Sequence, residues 1–103
     1  MTASVASRPR WTFLTNHAHV LVCIASDPDA RGRDIAERVG ITERAVQAIL
    51  ADLVADGYVT RTRVGRRNRY ALDPEGPLRH PLEGGHTTGD LLAALGRSEG
   101  DRP

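Results

Sequence analysis

Lysine is absent from the 103-residue sequence, cysteine occurs once, and aromatic residues are few. The single cysteine, Cys23, excludes an intramolecular disulfide bond. Because lysine is absent, all 14 basic residues are arginines, and each can make planar, forked contacts with phosphate or guanine. The scarcity of aromatic rings means that the core must consist mainly of leucine, isoleucine, valine and alanine.

Long apolar runs and catalytic motifs are also missing. No apolar run approaches the roughly 18 residues expected of a membrane span, and residues 1–10 lack the apolar centre of a signal peptide. No phosphate-binding loop, nucleophile elbow or paired-carboxylate pattern rises above chance, so we expect neither enzyme activity nor a cofactor. These absences favour a cytoplasmic protein with no membrane partner.

The length and charge of the chain fit one small globular domain. A chain of 103 residues with 26% charged residues has the size and composition of a single domain. The formal net charge of +1 argues against a general polycation, so local clusters of charge are the informative feature. A core of this size is modest, and dimerisation would help to complete it.

Apolar residues at helical spacing predict three helices in the first half of the chain. These helices cover residues 11–26, 33–39 and 42–56. In the first, either Thr15 or Asn16 can act as the N-terminal cap, and Gly40 closes the second as a left-handed cap. Thr42 caps the third helix. The connection between the second and third helices is short, as a helix-turn-helix requires.

The outward face of the third predicted helix has a composition suited to DNA. Opposite its apolar stripe lie one arginine and three alanines, namely Arg44, Ala48, Ala51 and Ala55. Small side chains let a helix approach the major groove closely, where Arg44 can bond to guanine or phosphate. Gln47, on the flank, can pair with adenine. The alternative is an ordinary exposed helix whose alanines serve helix propensity.

A β-hairpin is predicted to follow this helix. Residues 58–64 and 69–72 form its strands, and residues 65–68 form the turn between them. This turn would place Arg66, Arg67 and Asn68 at the tip of the hairpin.

The predicted hairpin is strongly basic. Between Asp56 and Asp73 there is no acidic residue but there are five arginines, namely Arg61, Arg63, Arg66, Arg67 and Arg69. A cluster of this kind in a nearly neutral chain focuses a positive field and suits contact with phosphate or the minor groove. The alternative is a solvated strand edge that charge protects from aggregation.

A resemblance to known regulators extends over residues 31–72. The segment reads RGRDIAERVGITERAVQAILADLVADGYVTRTRVGRRNRYAL and resembles the winged helix-turn-helix of bacterial MarR-like and ArsR-like transcriptional regulators. The resemblance implies an α+β, mostly helical fold, with a three-helix core, a two-stranded β-wing and, in this chain, an extra short C-terminal helix. It implies a sequence-specific regulator of transcription that binds double-stranded DNA, and we expect a dimeric repressor.

In these families the second helix of the motif and the wing contact DNA, and flanking helices form a homodimer. Carried onto this sequence, the resemblance and the exposed residues predict ten DNA-contacting positions. They are Thr42, Arg44, Gln47, Ala48, Arg61, Arg63, Arg66, Arg67, Asn68 and Arg69. The chain lacks the long terminal helices of the MarR pattern, and a small effector of unidentified chemistry stays open as a further partner.

The sequence divides into three segments. We expect a flexible tail at 1–10, a DNA-binding domain at 11–73 and a C-terminal arm at 74–103 that serves dimerisation. The arm is rich in glycine and proline before a last short helix at 89–95, for which Thr88 is the predicted cap. The leucines of this helix can pack on the residues around Trp11 in the same chain or in a partner. They are Leu91, Leu92 and Leu95. We favour a partner, because a short apolar helix after a flexible loop cannot hold itself.

Two other functions stay open. One is a metal-responsive repressor of the ArsR type, for which the candidate ligands are His19, Cys23, His80, Glu83 and His86. No tight ligand pair adjoins the recognition helix, so we predict no metal site. The other is an interaction module whose wing holds another protein instead of DNA.

Overall fold

The computed structural model describes residues 9–100, with side chains described as far as Leu95. Within that range it contains four α-helices, one two-stranded antiparallel sheet and one short 3-10 helix. In chain order these are α1 (Asn16–Ser26), α2 (Gly32–Val39), α3 (Glu43–Ala55), β1 (Val59–Val64), β2 (Arg67–Leu72), the 3-10 helix (Pro81–Glu83) and α4 (Thr88–Gly100). The predicted α+β winged helix-turn-helix fold is confirmed. The predicted flexible tail, residues 1–10, lies almost entirely outside the described residues.

Helix α1 begins later than the sequence pattern predicts. Thr15 is its N-terminal cap, and the Oγ1 atom of Thr15 accepts a hydrogen bond from the backbone N–H of Ala18 at 3.2 Å. The predicted start at residue 11 is wrong, because Thr15 has an extended backbone and the helix cannot continue through it toward the N-terminus. Residues 11–15 therefore form a non-helical segment that leads into α1.

Helices α2 and α3 form the predicted helix-turn-helix. Gly40 has a φ of 90°, and its N–H donates to the carbonyl of Ala36 at 2.7 Å, which ends α2 in a left-handed cap. Two residues later, the Oγ1 atom of Thr42 accepts a hydrogen bond from the N–H of Ala45 at 3.0 Å and starts α3. The predictions of both caps are confirmed.

The core lies between α1, α2 and α3, and the sheet closes one side of it. The largest fully buried side chains are Val20, Ile24, Ile35, Val46 and Leu50. As the composition indicates, these side chains are aliphatic. From the sheet, Val59 and Tyr70 add to this cluster, and Cys23 is buried within it as a small packing residue.

The wing differs from the prediction at its turn. Val64 pairs with Arg67, so only Gly65 and Arg66 connect the two strands. Gly65 has a φ of 64°, whereas Arg66 has a negative φ, and this is the backbone pattern of a type II′ hairpin turn. The predicted tip position is therefore wrong for Arg67 and Asn68, which belong to β2. A two-residue turn of this type matches the right-handed twist of the paired strands, whereas a type I or type II turn would splay them.

The C-terminal arm ends in a longer helix than predicted, and its cap is a different threonine. The Oγ1 atom of Thr87 accepts a hydrogen bond from the N–H of Asp90 at 3.1 Å, and the carboxylate of Asp90 accepts one from the N–H of Thr87 at 3.0 Å. The second of these bonds is the main cause that lowers the pKa of Asp90. Thr88 is buried, and its hydroxyl donates to the carbonyl of Asp73 at 2.8 Å. The prediction of Thr88 as the cap is wrong.

Helix α4 packs on α1 of the same chain. Leu92 contacts the core cluster, and Leu91 and Leu95 are half-buried. Gly89 permits the close approach of α4 to the arm, because a Cβ atom at this position would lie 2.7 Å from the carbonyl oxygen of Pro74. Packing within one chain accounts for the partial burial of Leu92. The contact of this helix with a partner stays a prediction.

Candidate nucleic-acid interface

The outward face of α3 has the composition that its sequence predicts. The buried stripe of α3 comprises Val46, Ile49, Leu50 and Leu53. On the opposite side Arg44, Gln47 and Ala48 are exposed to solvent. The guanidinium group of Arg44 forms no ion pair or hydrogen bond with the part of the chain that the structure describes. It is therefore available to an external acceptor.

Thr42 stands at the N-terminal end of this face. Its hydroxyl oxygen is used as an acceptor in the cap of α3. A hydroxyl also carries one donor hydrogen, which the cap does not use. Because Thr42 is exposed, that hydrogen can reach an acceptor outside the protein, such as a phosphate oxygen.

The start of α2 lies against the same face. A Cβ atom added to Gly32 would lie 2.7 Å from Nε2 of Gln47, so these two residues approach closely where the helices cross. The chain neighbours of Gly32 are Arg31 and Arg33, which are both exposed. A carboxylate oxygen of Glu43 lies 3.9 Å from the same Cβ position, so this corner of the molecule carries charges of both signs. The sequence pattern did not single out these two arginines. The available signal was their place at the start of the helix that crosses the DNA backbone in a helix-turn-helix.

The register of the wing divides its arginines between two faces. Directly opposed residues in an antiparallel pair share a face. Arg61 lies opposite Tyr70 and shares its face with Arg63, whereas Arg67 and Arg69 lie on the other face. The five wing arginines are all exposed, but they do not form a single surface.

Two of the predicted DNA contacts are engaged within the protein. Nη2 of Arg67 donates to the backbone carbonyl of Asp29 at 2.7 Å. Nε of Arg69 lies 3.6 Å from a carboxylate oxygen of Asp29. Beside them, the backbone N–H of Tyr70 donates to the carbonyl of Pro28 at 3.0 Å. Strand β2 is therefore attached to the loop between α1 and α2.

The remaining basic residues of the wing are less engaged. Arg61 and Arg66 form no hydrogen bond or ion pair with residues 9–100. Nε of Arg63 makes one long bond of 3.4 Å with the carbonyl of Gly65. Asn68 lies opposite Arg63 and is exposed on the same face. These side chains can turn toward a ligand without breaking a strong internal contact.

A comparison with protein families matches residues 12–69, more than half of the chain, to the model described as the MarR family. The chain belongs to the MarR family. It is accordingly a DNA-binding regulator of transcription, and the proteins of this family are regulators and not enzymes. The match extends from the segment before α1 into β2 and ends before the arm.

The solved structures include similar folds. The structure of T. potens IscR is similar over 91% of this chain and 95% of that chain, with a TM-score of 0.56 and 18% sequence identity. At this identity the similarity shows a shared fold only. Among curated proteins, none matches the sequence. In residues 9–100 of this MarR-family protein, no helix has the length and apolar character needed to cross a membrane.

The structure does not gather the candidate metal ligands. Nδ1 of His80 accepts a hydrogen bond from the N–H of Leu82 at 3.0 Å, and Nδ1 of His86 lies 3.5 Å from the carboxylate of Asp90. Cys23 is buried in α1. Within the described part of the chain, no three histidine, cysteine, aspartate or glutamate side chains are grouped as a metal ion requires. That the MarR-family protein does not respond to metal stays a prediction.

Proposed function

We propose that this MarR-family protein is a homodimeric repressor that binds a near-palindromic site in double-stranded DNA. The observation that best supports this function is the exposed face of α3, where Arg44 and Gln47 stand beside small side chains. A helix with such a face can lie deep in the major groove, where the edges of the base pairs are distinguishable.

In this proposal α3 reads the bases. Arg44 donates two hydrogen bonds to O6 and N7 of guanine, and Gln47 pairs with N6 and N7 of adenine. Ala48 lets the helix approach and can contact the methyl group of thymine. Thr42 donates its hydroxyl hydrogen to a phosphate oxygen at the edge of the groove.

The wing binds outside the major groove. Arg61, Arg63 and Arg66, with Asn68 beside them, contact the flanking phosphates or enter the minor groove, where arginine is favoured. Arg67 and Arg69 act differently from the sequence-based prediction. Their contacts with Asp29 suggest that they hold the wing in position.

The start of α2 adds a second contact with the DNA backbone. Arg31 and Arg33 flank Gly32, which lies beside Gln47 on the same side of the molecule. When Gln47 meets a base, these two arginines are next to the phosphates that border the groove. They would orient α3 without reading sequence.

Dimerisation explains how a small domain obtains sufficient specificity. A two-fold axis would place the two α3 helices about 34 Å apart, one turn of B-DNA, and would require a near-palindromic site. A dimer bound across a promoter represses by excluding other proteins from it.

The test of this function compares Arg44→Ala with the wild type by fluorescence anisotropy. The two DNA duplexes are a site selected from random sequence and an unrelated sequence of equal length. Arg44→Ala should lose about 1–3 kcal/mol on the selected site and much less on the unrelated one. The control is Arg38→Ala, which removes the same charge from another exposed position. Arg38 lies at the end of α2 and donates a hydrogen bond to Ser26 at the end of α1, so its loss should affect both duplexes equally and only slightly. An equal loss on both duplexes would contradict base reading by Arg44, and no salt-dependent binding by the wild type would contradict the function.

A further inference from the structure

The acids in the first turns of the helices are used in different ways. In α2, the carboxylate of Asp34 accepts a hydrogen bond at 3.3 Å from the backbone N–H of Arg31, the residue that caps the helix. In the 3-10 helix, Glu83 does the same at 3.0 Å with the N–H of its cap, His80, and the start of α4 repeats the arrangement. Each of these acids stands three residues after its cap and closes the first turn.

Glu43, the first residue of α3, is not used in this way. It directly follows the cap, Thr42, and the position three residues after that cap is occupied by Ala45. The side chain of Glu43 is exposed and forms no hydrogen bond or ion pair with residues 9–100. Its charge favours the start of the helix through the helix dipole, but this effect needs no particular side-chain position. The fold therefore leaves the carboxylate without a partner.

The carboxylate of Glu43 lies where α3 meets the start of α2. A Cβ atom added to Gly32 would lie 3.9 Å from a carboxylate oxygen of Glu43 and 2.7 Å from Nε2 of Gln47. Both side chains thus lie over the same residue, and residue 32 has no side chain that would cover them. Glu43 and Gln47 are one turn apart, so they are neighbours on one flank of α3. The polar ends of both are open to a ligand that approaches the start of this helix.

A carboxylate at this position restricts the DNA that can bind. The N-terminal residues of the second helix of a helix-turn-helix contact base edges in the major groove. A carboxylate that enters the groove loses water and faces a polyanion, so it needs a hydrogen-bond donor. Cytosine presents its N4 amino group there, whereas guanine presents O6 and N7 and thymine presents O4, which are all acceptors. Adenine has an amino group too, but its N7 acceptor stands beside that group and repels a carboxylate.

We propose that Glu43 is a specificity-determining residue, whose carboxylate accepts a hydrogen bond from the N4 amino group of a cytosine in the DNA site. This role rests on the proposed reading of bases by α3 and names a base that the site must contain. Arg31 and Arg33, on either side of Gly32, place two positive charges at this corner of the molecule. They offset the repulsion between the carboxylate of Glu43 and the phosphates that border the groove.

The test selects binding sites for two proteins from one library of random duplexes. The wild type should select a position at which cytosine is required, and thymine at that position should weaken binding about tenfold. Glutamine pairs with adenine, so Glu43→Gln should lose the cytosine requirement at this position and select adenine there. The other positions of the site should stay the same. Anisotropy titrations with duplexes that differ only at this base pair measure the ratio of affinities.

Two control variants separate a hydrogen bond from a charge. Glu75→Gln makes the same change of charge at an exposed acid of the arm and should leave the selected site unchanged. Glu43→Asp keeps the charge but shortens the side chain by one methylene, so it should lose most of the preference for cytosine with the salt slope unchanged. Circular dichroism checks that each variant is folded. A preference for cytosine as strong in Glu43→Asp as in the wild type would assign it to charge alone and overturn the inference.

The remaining outcomes separate this role from the proposed function. If Glu43→Gln binds every duplex more tightly by one factor and selects the same site, Glu43 acts only as a charge, and the inference is wrong while base reading by Arg44 stands. If Glu43→Gln exchanges cytosine for adenine but Arg44→Ala weakens both duplexes equally, Glu43 reads a base and Arg44 does not. If the wild type shows no salt-dependent binding to any duplex, the proposed function is wrong, and the role of Glu43 is overturned with it.

Discussion

Strands β1 and β2 carry arginines at similar density, yet they differ in what their side chains contact. In β1 only Val59 is buried, and Arg61 has no internal partner among the described residues. In β2, Tyr70 is buried in the core, and both Arg67 and Arg69 reach Asp29. One strand is thus attached to the body of the protein, and the other is exposed beyond its first residue.

The difference shows that residue type does not decide the role of an arginine in this wing. The outer edge of β2 meets the loop between α1 and α2, where the carbonyls of Pro28 and Asp29 accept hydrogen bonds. A side chain on that strand can reach an acceptor inside the protein, whereas Arg61 on β1 cannot. The wing is therefore a basic surface held on one side and open on the other.

The largest expected effect comes from the buried side of β2. Tyr70→Ala should lower the free energy of unfolding by about 3–5 kcal/mol, because it removes a large aromatic side chain from the core. Its cross-strand neighbour serves as the control, since Arg61→Ala should change stability by less than about 0.5 kcal/mol. Urea unfolding followed by circular dichroism measures both. Similar losses for the two variants would show that β1 is as firmly packed as β2.

Two double variants with the same loss of charge compare the open part of the wing, which is β1 and the turn, with the attached strand β2 on DNA. Arg61→Ala with Arg66→Ala should weaken binding to every sequence by about 2–3 kcal/mol and reduce the salt slope by about two units. Arg67→Ala with Arg69→Ala should change the slope by well under one unit, since these side chains bond Asp29. Anisotropy titrations at several salt concentrations measure the slopes.

The outcomes of this pair are distinct. Equal slopes for the two double variants would mean that all four arginines contact phosphate and that the anchoring role of β2 is wrong. If neither double variant weakens binding, the wing is a solvated edge, and the function as a protein-interaction module gains support.

The turn that joins the strands should show a smaller effect. Gly65 has a φ of 64°, a region that costs other residues about 1–2 kcal/mol, so Gly65→Ala should destabilise the tip of the wing by this amount. Amide hydrogen exchange at Arg67 reports the loss of the last pair of the ladder. Arg66→Ala, in the same turn but at a negative φ, is the control and should leave the exchange unchanged. Unchanged exchange in Gly65→Ala would contradict the proposed turn.

The smallest effect is expected from the carboxylate that faces β2. Asp29→Asn should alter stability by less than about 0.5 kcal/mol, because the ion pair with Arg69 is long and more than half exposed. The shorter bond from Arg67 goes to the backbone carbonyl of residue 29 and survives the substitution. Thermal unfolding of Asp29→Asn against the wild type measures the change. A loss above 1 kcal/mol would mean that the side chain, and not the backbone, holds the wing.

Local patterns predicted the centre of the domain well. The apolar stripe of α3, its cap at Thr42 and the left-handed Gly40 each depend on neighbouring residues, so their positions could be read from short segments. The start of α1 was placed too early because apolar spacing continues back to Trp11 although Thr15 interrupts the backbone. Thr87 and Thr88 are adjacent, but only Thr87 has an acidic residue three positions later, and this local signal of Asp90 was overlooked. The hydroxyl of Thr88 instead donates to the carbonyl of Asp73, a contact between distant segments.

Some candidate DNA-binding residues could likewise be found from local patterns, whereas the roles of others depend on the tertiary structure. Arg44 and Gln47 could be found from helical spacing, because their face is fixed by the stripe on the other side of one helix. The different roles of Arg61 and Arg67 could not, since they depend on which edge of the hairpin lies beside Pro28 and Asp29, some 40 residues away. Arg31 and Arg33 were missed because the approach of Gly32, which lies between them, to Gln47 arises only where α2 and α3 cross.

The sequence by itself determined the order of the elements, the buried face of α3, the concentration of arginine in the hairpin and the absence of a disulfide. These properties follow from spacing, capping and composition, which act over a few residues. The tertiary structure alone decided that β2 is attached and β1 is open. It also decided that the arm returns to α1 and that an open apolar groove remains between α1, α3, the arm and α4, beside Phe13. These features depend on contacts between segments distant in the chain, and neither the length of a segment nor its periodicity specifies which other segment will lie against it.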